Sequence, residues 1–177
     1  MANNVMEMDM KEQIRKESAR IEEDCLYSSK SHFYAGQRWT NVHLWLGIPA
    51  AILAAIAGAS ALSEFQSHNM VAGILSIVVA ALIAVATFVN PNERAITHKN
   101  AGNKYNSLRN RARIFYAIEL PVENDPNKSA EKLKSLDDQR SKLNEESPQI
   151  PKWAFKKART GIEDGEANYK IDEAGKT

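Results

Sequence analysis

The sequence has very few of the residues from which catalytic and metal sites are built. Its single cysteine, Cys25, cannot form a disulfide within the chain or contribute to a site with several thiolates. No histidine has another histidine four residues away with a glutamate between them, and there is no glycine-rich phosphate loop and no serine nucleophile motif. The sequence therefore predicts a protein that is not an enzyme, with no catalytic residue, no cofactor and no metal site.

Formal charge is absent from two long apolar stretches. Residues 42–62 and residues 70–89 contain no Asp, Glu, Lys or Arg. At about 1.5 Å per residue, each stretch is long enough as a helix to cross the roughly 30 Å hydrocarbon core of a bilayer. The connection at residues 63–69 is long enough only for a turn. Two adjacent runs of this kind predict a transmembrane hairpin at residues 42–89, rather than the buried hairpin of a soluble protein.

The lack of charge inside both spans also bears on function. Proton-coupled transporters relay ions through carboxylates or lysines within the membrane, so this class is not expected. A single hairpin cannot enclose a path, and any conduction would require several copies around a shared lumen. The formal net charge of +1 gives no overall field that would favour nucleic acid.

Basic residues are missing from the turn between the spans but are frequent on both outer sides. Lys30 and Arg38 precede the first span, and residues 90–120 contain six basic and two acidic side chains. The positive-inside rule then predicts that both termini are cytoplasmic. The first forty residues contain many acidic side chains and no apolar core, so a cleavable signal peptide is not expected.

The polar parts of the chain are predicted to be helical. Residues 1–41 form an N-terminal helix that runs into the first span, and residues 90–120 extend the second span until a cluster with Pro121 and Pro126. Residues 121–177 then form a small pair of helices and a tail. The first of the pair is expected from about Ser129 to Glu146, and the second should begin with Pro151 at its first position. The tail from Gly161 is expected to fray.

Small residues recur every four positions in both spans, which places them on one helical face and allows close helix approach. These rows of small residues can be explained either by packing of the hairpin on itself or by packing between subunits around a pore. Pro49 is expected to kink the first span or to begin its regular helix. The candidates for transmembrane packing or pore lining are Ala50, Ala54, Gly58, Ala72, Ser76, Ala80 and Ala84.

Two further features occur on the helix after the second span. An apolar seam with spacings of three and four predicts packing against a partner helix, within an oligomer or with another protein. Three arginines in five residues are candidates for binding anionic lipid or, alternatively, a phosphorylated ligand. The seam consists of Tyr105, Leu108, Ala112 and Phe115, and the basic group consists of Arg109, Arg111 and Arg113.

Several short segments occur in a defined order before and after the two spans. Residues 20–23 and then Tyr34 and Trp39 precede the first span, and residues 90–95 follow the second. His98, Ala101, Gly102, Tyr105 and Leu108 come next, and a late segment contains Ile150, Pro151, Ala154, Phe155, Ala158 and Arg159. With these segments, most of the chain resembles the SLATT proteins, which are two-span membrane effectors of bacterial conflict systems.

The resemblance implies an oligomeric effector of antiphage defence in the bacterial inner membrane. Such an effector is activated on infection, breaches the membrane by forming a pore or disrupting the bilayer, and causes cell death or growth arrest. A nucleotide second messenger, or the enzyme that makes it, is the implied partner. The fold class expected is an all-α membrane protein, a two-span hairpin extended by long cytoplasmic helices with a small C-terminal helical pair. The alternative function is a membrane-anchored scaffold that recruits a cytoplasmic partner.

Overall fold

The computed structural model describes residues 2–62, 66–169 and 171, with side chains from residue 8 onward and without those of residues 66–69. All of its regular structure in these ranges is helical. Part of the predicted turn at residues 63–69 and part of the tail lie outside the described residues. The helices are α1 Ala2–Ala61, α2 Gln66–Val89, α3 Pro91–Ile114, α4 Pro126–Glu146 and α5 Lys152–Glu163.

The first helix is continuous from the polar N-terminal region through the first apolar run. Pro49 lies inside α1, so the regular helix does not begin there. A proline in a helix removes one backbone hydrogen bond, and in a membrane span neighbouring helices make this tolerable. The long polar stretch and the apolar run are therefore joined without a break in the helix assignment.

The helix after the second span begins at a capped break. Asn90 has a positive φ of 46°, and its N–H donates to the carbonyl of Ala86 at 3.0 Å, which ends α2 in the left-handed conformation that asparagine tolerates. Pro91, which needs no hydrogen-bond partner at a first helical position, starts α3. The Arg94 side chain donates to the carbonyl of Val89 at 2.8 Å and satisfies another free end of α2.

The ends of the later helices differ from the predicted positions by a few residues. After α3 the chain continues through a π-helical turn, Phe115–Glu119, and a short helical stretch to Val122, so Leu120 does not end it. The helix predicted from about Ser129 begins at Pro126, because Asp125 caps it by accepting from the Asn127 N–H at 2.9 Å. Pro151 is the N-cap of α5 and not its first residue.

The described chain forms two compact units. The hairpin unit comprises residues 36–96, and the bundle unit comprises residues 1–35 with 97–177. The bundle unit has a dry core to which α1, α3 and α4 all contribute. Its buried side chains include Ile14, Ile21, Cys25, Tyr105, Leu108, Ala112, Phe115, Leu120 and Leu136.

Candidate functional site

The hairpin packs on itself through one narrow seam. In both helices the least exposed positions recur at spacings of three and four, which is the pattern of two helices in side-by-side contact. Three alanines, Ala50, Ala57 and Ala72, are the most buried residues of this seam. The full seam consists of Val42, Leu46, Pro49, Ala50, Leu53, Ala57 and Ser60 from α1, and of Ala72, Leu75, Val79, Leu82, Ala86 and Val89 from α2.

Only two of the seven small residues singled out in the sequence lie in this seam. Ala50 and Ala72 are buried, whereas Ala54, Gly58, Ser76, Ala80 and Ala84 are exposed on the outside of the hairpin. The physical reason is the helical pitch, since each step of four residues turns about 40° past a full circle and drifts away from the seam. Contact between the two helices of one hairpin therefore does not account for the other five small residues.

The five exposed small residues fall on one face of the hairpin. At about 100° per residue, Ala54 and Gly58 lie roughly 90° to 130° past the middle of the α1 seam. Ser76 and Ala80 lie at the same angles past the middle of the α2 seam, and Ala84 lies about 170° past it, at the outer edge of this side. Because the two helices are antiparallel, equal rotations from facing seams point to the same side. This side, called here the small face, consists of Ala54, Gly58, Ser76, Ala80 and Ala84.

The opposite side of the hairpin is bulky. Its exposed residues are mostly β-branched, so the two sides differ in shape although both are apolar. The small residues of the small face allow a second backbone to approach more closely than the bulky face does. The hydroxyl of Ser76 does not disturb this surface, because it donates to the Ala72 carbonyl at 2.8 Å. The bulky face consists of Ile48, Ile52 and Ile56 from α1 and of Val71, Val78 and Val85 from α2.

The apolar seam predicted on α3 is filled by the chain itself. Tyr105, Leu108, Ala112 and Phe115 are each at most 3% exposed. They pack in the bundle core with residues of α1 and α4, among them Leu136. The hydroxyl of Tyr105 donates to the Asn144 side chain at 2.8 Å. The partner helices of this seam are therefore α1 and α4, and its four side chains have no free surface in this conformation.

The three arginines of α3 have different main neighbours, although Arg109 and Arg113 share the Tyr169 ring. Arg109 lies 3.5 Å from the Glu22 carboxylate, and its side chain is only 12% exposed. Arg111 donates to the Gln139 side chain at 3.0 Å. Arg113 lies over the Tyr169 ring, 5.0 Å from its centroid. The arrangement is a set of separate contacts rather than a single fork aimed at one ligand.

The structure brings together two histidines that lie far apart in the sequence and share no motif. The Nδ1 atoms of His32 and His98 are 3.0 Å apart, and the rings are 1% and 6% exposed. Tyr105 stacks on His32 with ring centroids 5.5 Å apart. Burial, followed by the neighbouring His98, lowers the pKa of His32 to about 4, so His32 is neutral at physiological pH. The sequence signal for this pair is that each histidine lies about ten residues from the apolar run on its side.

The only cysteine lies in the bundle core. Burial and the nearby Asp24 raise the pKa of the Cys25 thiol to about 12. The thiol therefore stays protonated and serves as a small apolar side chain, which is not the state of a reactive nucleophile. Among the described residues, no group of three or more His, Cys, Asp or Glu side chains is placed to hold a metal ion.

These features define the class of the protein. The regular structure of the described residues is all helical. Two helical stretches, Met8–Ala61 and Met70–Val122, are long and apolar enough to cross a membrane. The profile of the SMODS and SLOG-associating 2TM effector domain family 4 matches residues 10–173, and the chain belongs to this family. It is therefore a two-transmembrane effector domain protein, and the resemblance to SLATT proteins is confirmed. No curated protein and no solved structure matches the chain.

Proposed function

We propose that the protein is a regulated, non-enzymatic effector of antiphage defence that assembles in the bacterial inner membrane and breaches it. In this proposal both termini are cytoplasmic, and hairpins associate through their small faces to form a pore or to disrupt the bilayer. The result for the cell is death or growth arrest, which stops phage from spreading. Family membership supports the role as a membrane effector.

The proposal rests on one observation, which is that the small face is not used by the hairpin itself. Gly58 has no other atom within 4 Å of the point where a Cβ would lie, so nothing in the chain requires a glycine there. In lipid, helices gain association energy from close backbone approach, which small residues allow. A small face left open by the fold is therefore suited to contact with a second hairpin.

Activation is proposed to shift an equilibrium between a closed and an open assembly. A signal favours the open assembly only if it binds the cytoplasmic part more tightly in that state. The resemblance to SLATT proteins makes a nucleotide second messenger, or its synthase, the proposed source of this signal. The alternative, a scaffold that recruits a partner through the α3 seam, has less support because Tyr105, Leu108, Ala112 and Phe115 are buried in the bundle core.

Dye release from liposomes tests the proposal. Release of a self-quenched dye by the reconstituted protein is recorded with and without added cyclic nucleotides. We expect more release with the activating nucleotide than without it, and we expect Ala54→Leu or Ala80→Leu on the small face to reduce that release at least tenfold. Ala59→Leu is the matched control, because Ala59 is exposed on the bulky side of the same helix. It should leave release unchanged. Equal loss in both kinds of variant, or intact liposomes with every protein fully inserted, would overturn the proposal.

A further inference from the structure

The chain after α5 turns back onto the bundle unit. Gly165 has a positive φ of 84°, which side chains other than glycine rarely tolerate, and the turn is closed by two backbone hydrogen bonds. The Glu166 N–H donates to the Gly161 carbonyl at 2.9 Å, and the Asn168 N–H donates to the Gly165 carbonyl at 3.0 Å. Residues 164–169, called here the clasp, therefore have a defined backbone rather than an open coil.

The first half of the clasp is bound to α1. The Glu166 carboxylate lies 2.5 Å from the Lys30 ammonium and accepts a hydrogen bond from the Tyr34 hydroxyl at 3.2 Å. Lys30, followed by Tyr34, holds the pKa of Glu166 below its usual value. Gly161 makes this contact possible, because a Cβ there would lie 3.0 Å from the Lys30 Nζ and would overlap the Glu166 carboxylate.

The second half of the clasp is bound to α3. The Tyr169 ring lies under two guanidinium groups, 5.0 Å from that of Arg113 and 5.7 Å from that of Arg109. Cations placed over an aromatic face are attracted to it. Between Glu166 and Tyr169 the clasp thus contacts both α1 and α3, and it contacts each through charged or aromatic side chains at the surface.

The contacts of the clasp are of a kind that opens readily. Glu166 is 55% exposed, and no residue of the clasp belongs to the buried core. Exposed ion pairs and single cation–π contacts are individually weak. Local opening of such a segment requires no loss of core packing, unlike separation of α1 from α3 themselves.

We propose that the clasp is an autoinhibitory strap that holds α1 to α3 in the resting protein and is released on activation. This inference rests on the proposed pore function, because the resting and active states are states of that function. The bundle core keeps the two helices folded, and the clasp restricts their relative movement. Loss of the Glu166 and Tyr169 contacts is then the first step of activation, before any rearrangement of the core that α1 and α3 share.

Hydrogen exchange in the intact protein tests the clasp independently of any pore. We expect Glu166→Gln and Tyr169→Ala each to accelerate exchange of the Glu166 and Asn168 amides roughly twofold to fivefold, as the loss of an exposed ion pair or a cation–π contact implies. Two matched controls should leave the rate unchanged. Glu163→Gln makes the same charge change at a residue that pairs with Arg159 within α5, and Tyr169→Phe keeps the ring.

Dye release from liposomes then separates the possible outcomes. Faster exchange together with at least threefold more release than the wild type supports autoinhibition by the clasp. Unchanged exchange in both variants overturns the clasp. Faster exchange with release equal to that of the wild type overturns its inhibitory role. If no protein releases dye and exchange is faster, the pore proposal fails while the strap between α1 and α3 is supported as a structural element.

Discussion

The hairpin unit and the bundle unit use the same helical spacing with different side chains. In both, contact positions recur at intervals of three and four residues. The most buried seam residues of the hairpin are alanines, such as Ala57 and Ala72, whereas the bundle core contains large residues such as Leu108, Phe115 and Leu136. This difference in side-chain size matches the surroundings, lipid or water, in which each kind of seam is favoured.

Burial of a large apolar side chain is favourable only when the alternative is water. In water, full burial of a leucine or phenylalanine contributes about 1.5–3 kcal/mol, which rewards large core residues. In a bilayer the lipid tails are as apolar as the side chain, so helix association depends on close approach and small residues are favoured. The small size of the most buried hairpin positions, Ala50, Ala57 and Ala72, therefore fits a lipid environment, and the large residues of the bundle core fit water.

Charges show the same division. The bundle unit has ion pairs between its helices, including Arg140 with Asp24 at 2.6 Å and Arg109 with Glu22 at 3.5 Å. The described apolar runs of the hairpin unit contain no formally charged residue. Interhelical contacts of the bundle are thus open to control by ionic conditions, whereas those of the hairpin are not.

The largest predicted effect is a cavity in the bundle core. Leu108 is 2% exposed, so we expect Leu108→Ala to lower the free energy of unfolding of the bundle by about 2–5 kcal/mol. Urea unfolding of the protein in detergent, followed by hydrogen exchange of the bundle helices, measures this. Ile118→Ala is the control, since Ile118 is 64% exposed and should change stability by less than about 0.5 kcal/mol. Similar losses for both variants would show that α3 is not packed as described.

A pH effect is the next largest and belongs to the bundle alone. The pKa of His32 is lowered from 6.5 to about 4, so the unfolded chain binds more protons than the folded one between these values. Stability is therefore full above about pH 7 and falls as pH drops from about 6.5 to 4, by roughly 3 kcal/mol in total. Unfolding midpoints measured across this range give the slope.

The matched variants for the pH effect are two histidine substitutions. His32→Asn removes the buried group and should abolish most of the slope, while His43→Asn, at an exposed position, should keep it. The Glu12 carboxylate, with a pKa lowered from 4.5 to about 2 by Arg15, changes stability mainly between pH 4.5 and 2, so the range from pH 6.5 to 5 reports best on His32. A slope that survives in His32→Asn would exclude the histidine pair as its cause.

The sequence predicts the helices well and their contacts incompletely. The two apolar helices can be predicted because the length of each run and its lack of charge are local properties of the sequence. The rows of small residues show where such prediction fails. A spacing of four places consecutive members of a row on nearly the same face, but each step also rotates slightly around the helix, and this rotation leaves Ala54 and Ala80 outside the seam. The proximity of His32 and His98 depends on the register between α1 and α3, which no short pattern contains. The clasp contacts depend on one glycine turn at Gly165.

A smaller effect is expected for a leucine in the hairpin seam. Leu82→Ala removes as many atoms as Leu108→Ala, yet its side chain moves between a seam and lipid rather than between a core and water. We expect it to weaken the hairpin by about 1 kcal/mol, less than half of the bundle effect. Unfolding in mixed detergent micelles measures the loss. A loss as large as that of Leu108→Ala would contradict the difference in environment between the two units.

An effect of comparable size is expected at the break between α2 and α3. Asn90 has a φ of 46°, which costs a residue with an ordinary Cβ about 1 kcal/mol, and its side chain also donates to Glu93. Asn90→Ala should therefore lower stability by about 1–2 kcal/mol, measured as a shift in the unfolding midpoint. Asn90→Gly relieves the backbone cost and should lose only the side-chain hydrogen bond. If glycine is as damaging as alanine, the positive φ is not what the position requires, and the Asn90 side chain is the part that holds the two helices in line.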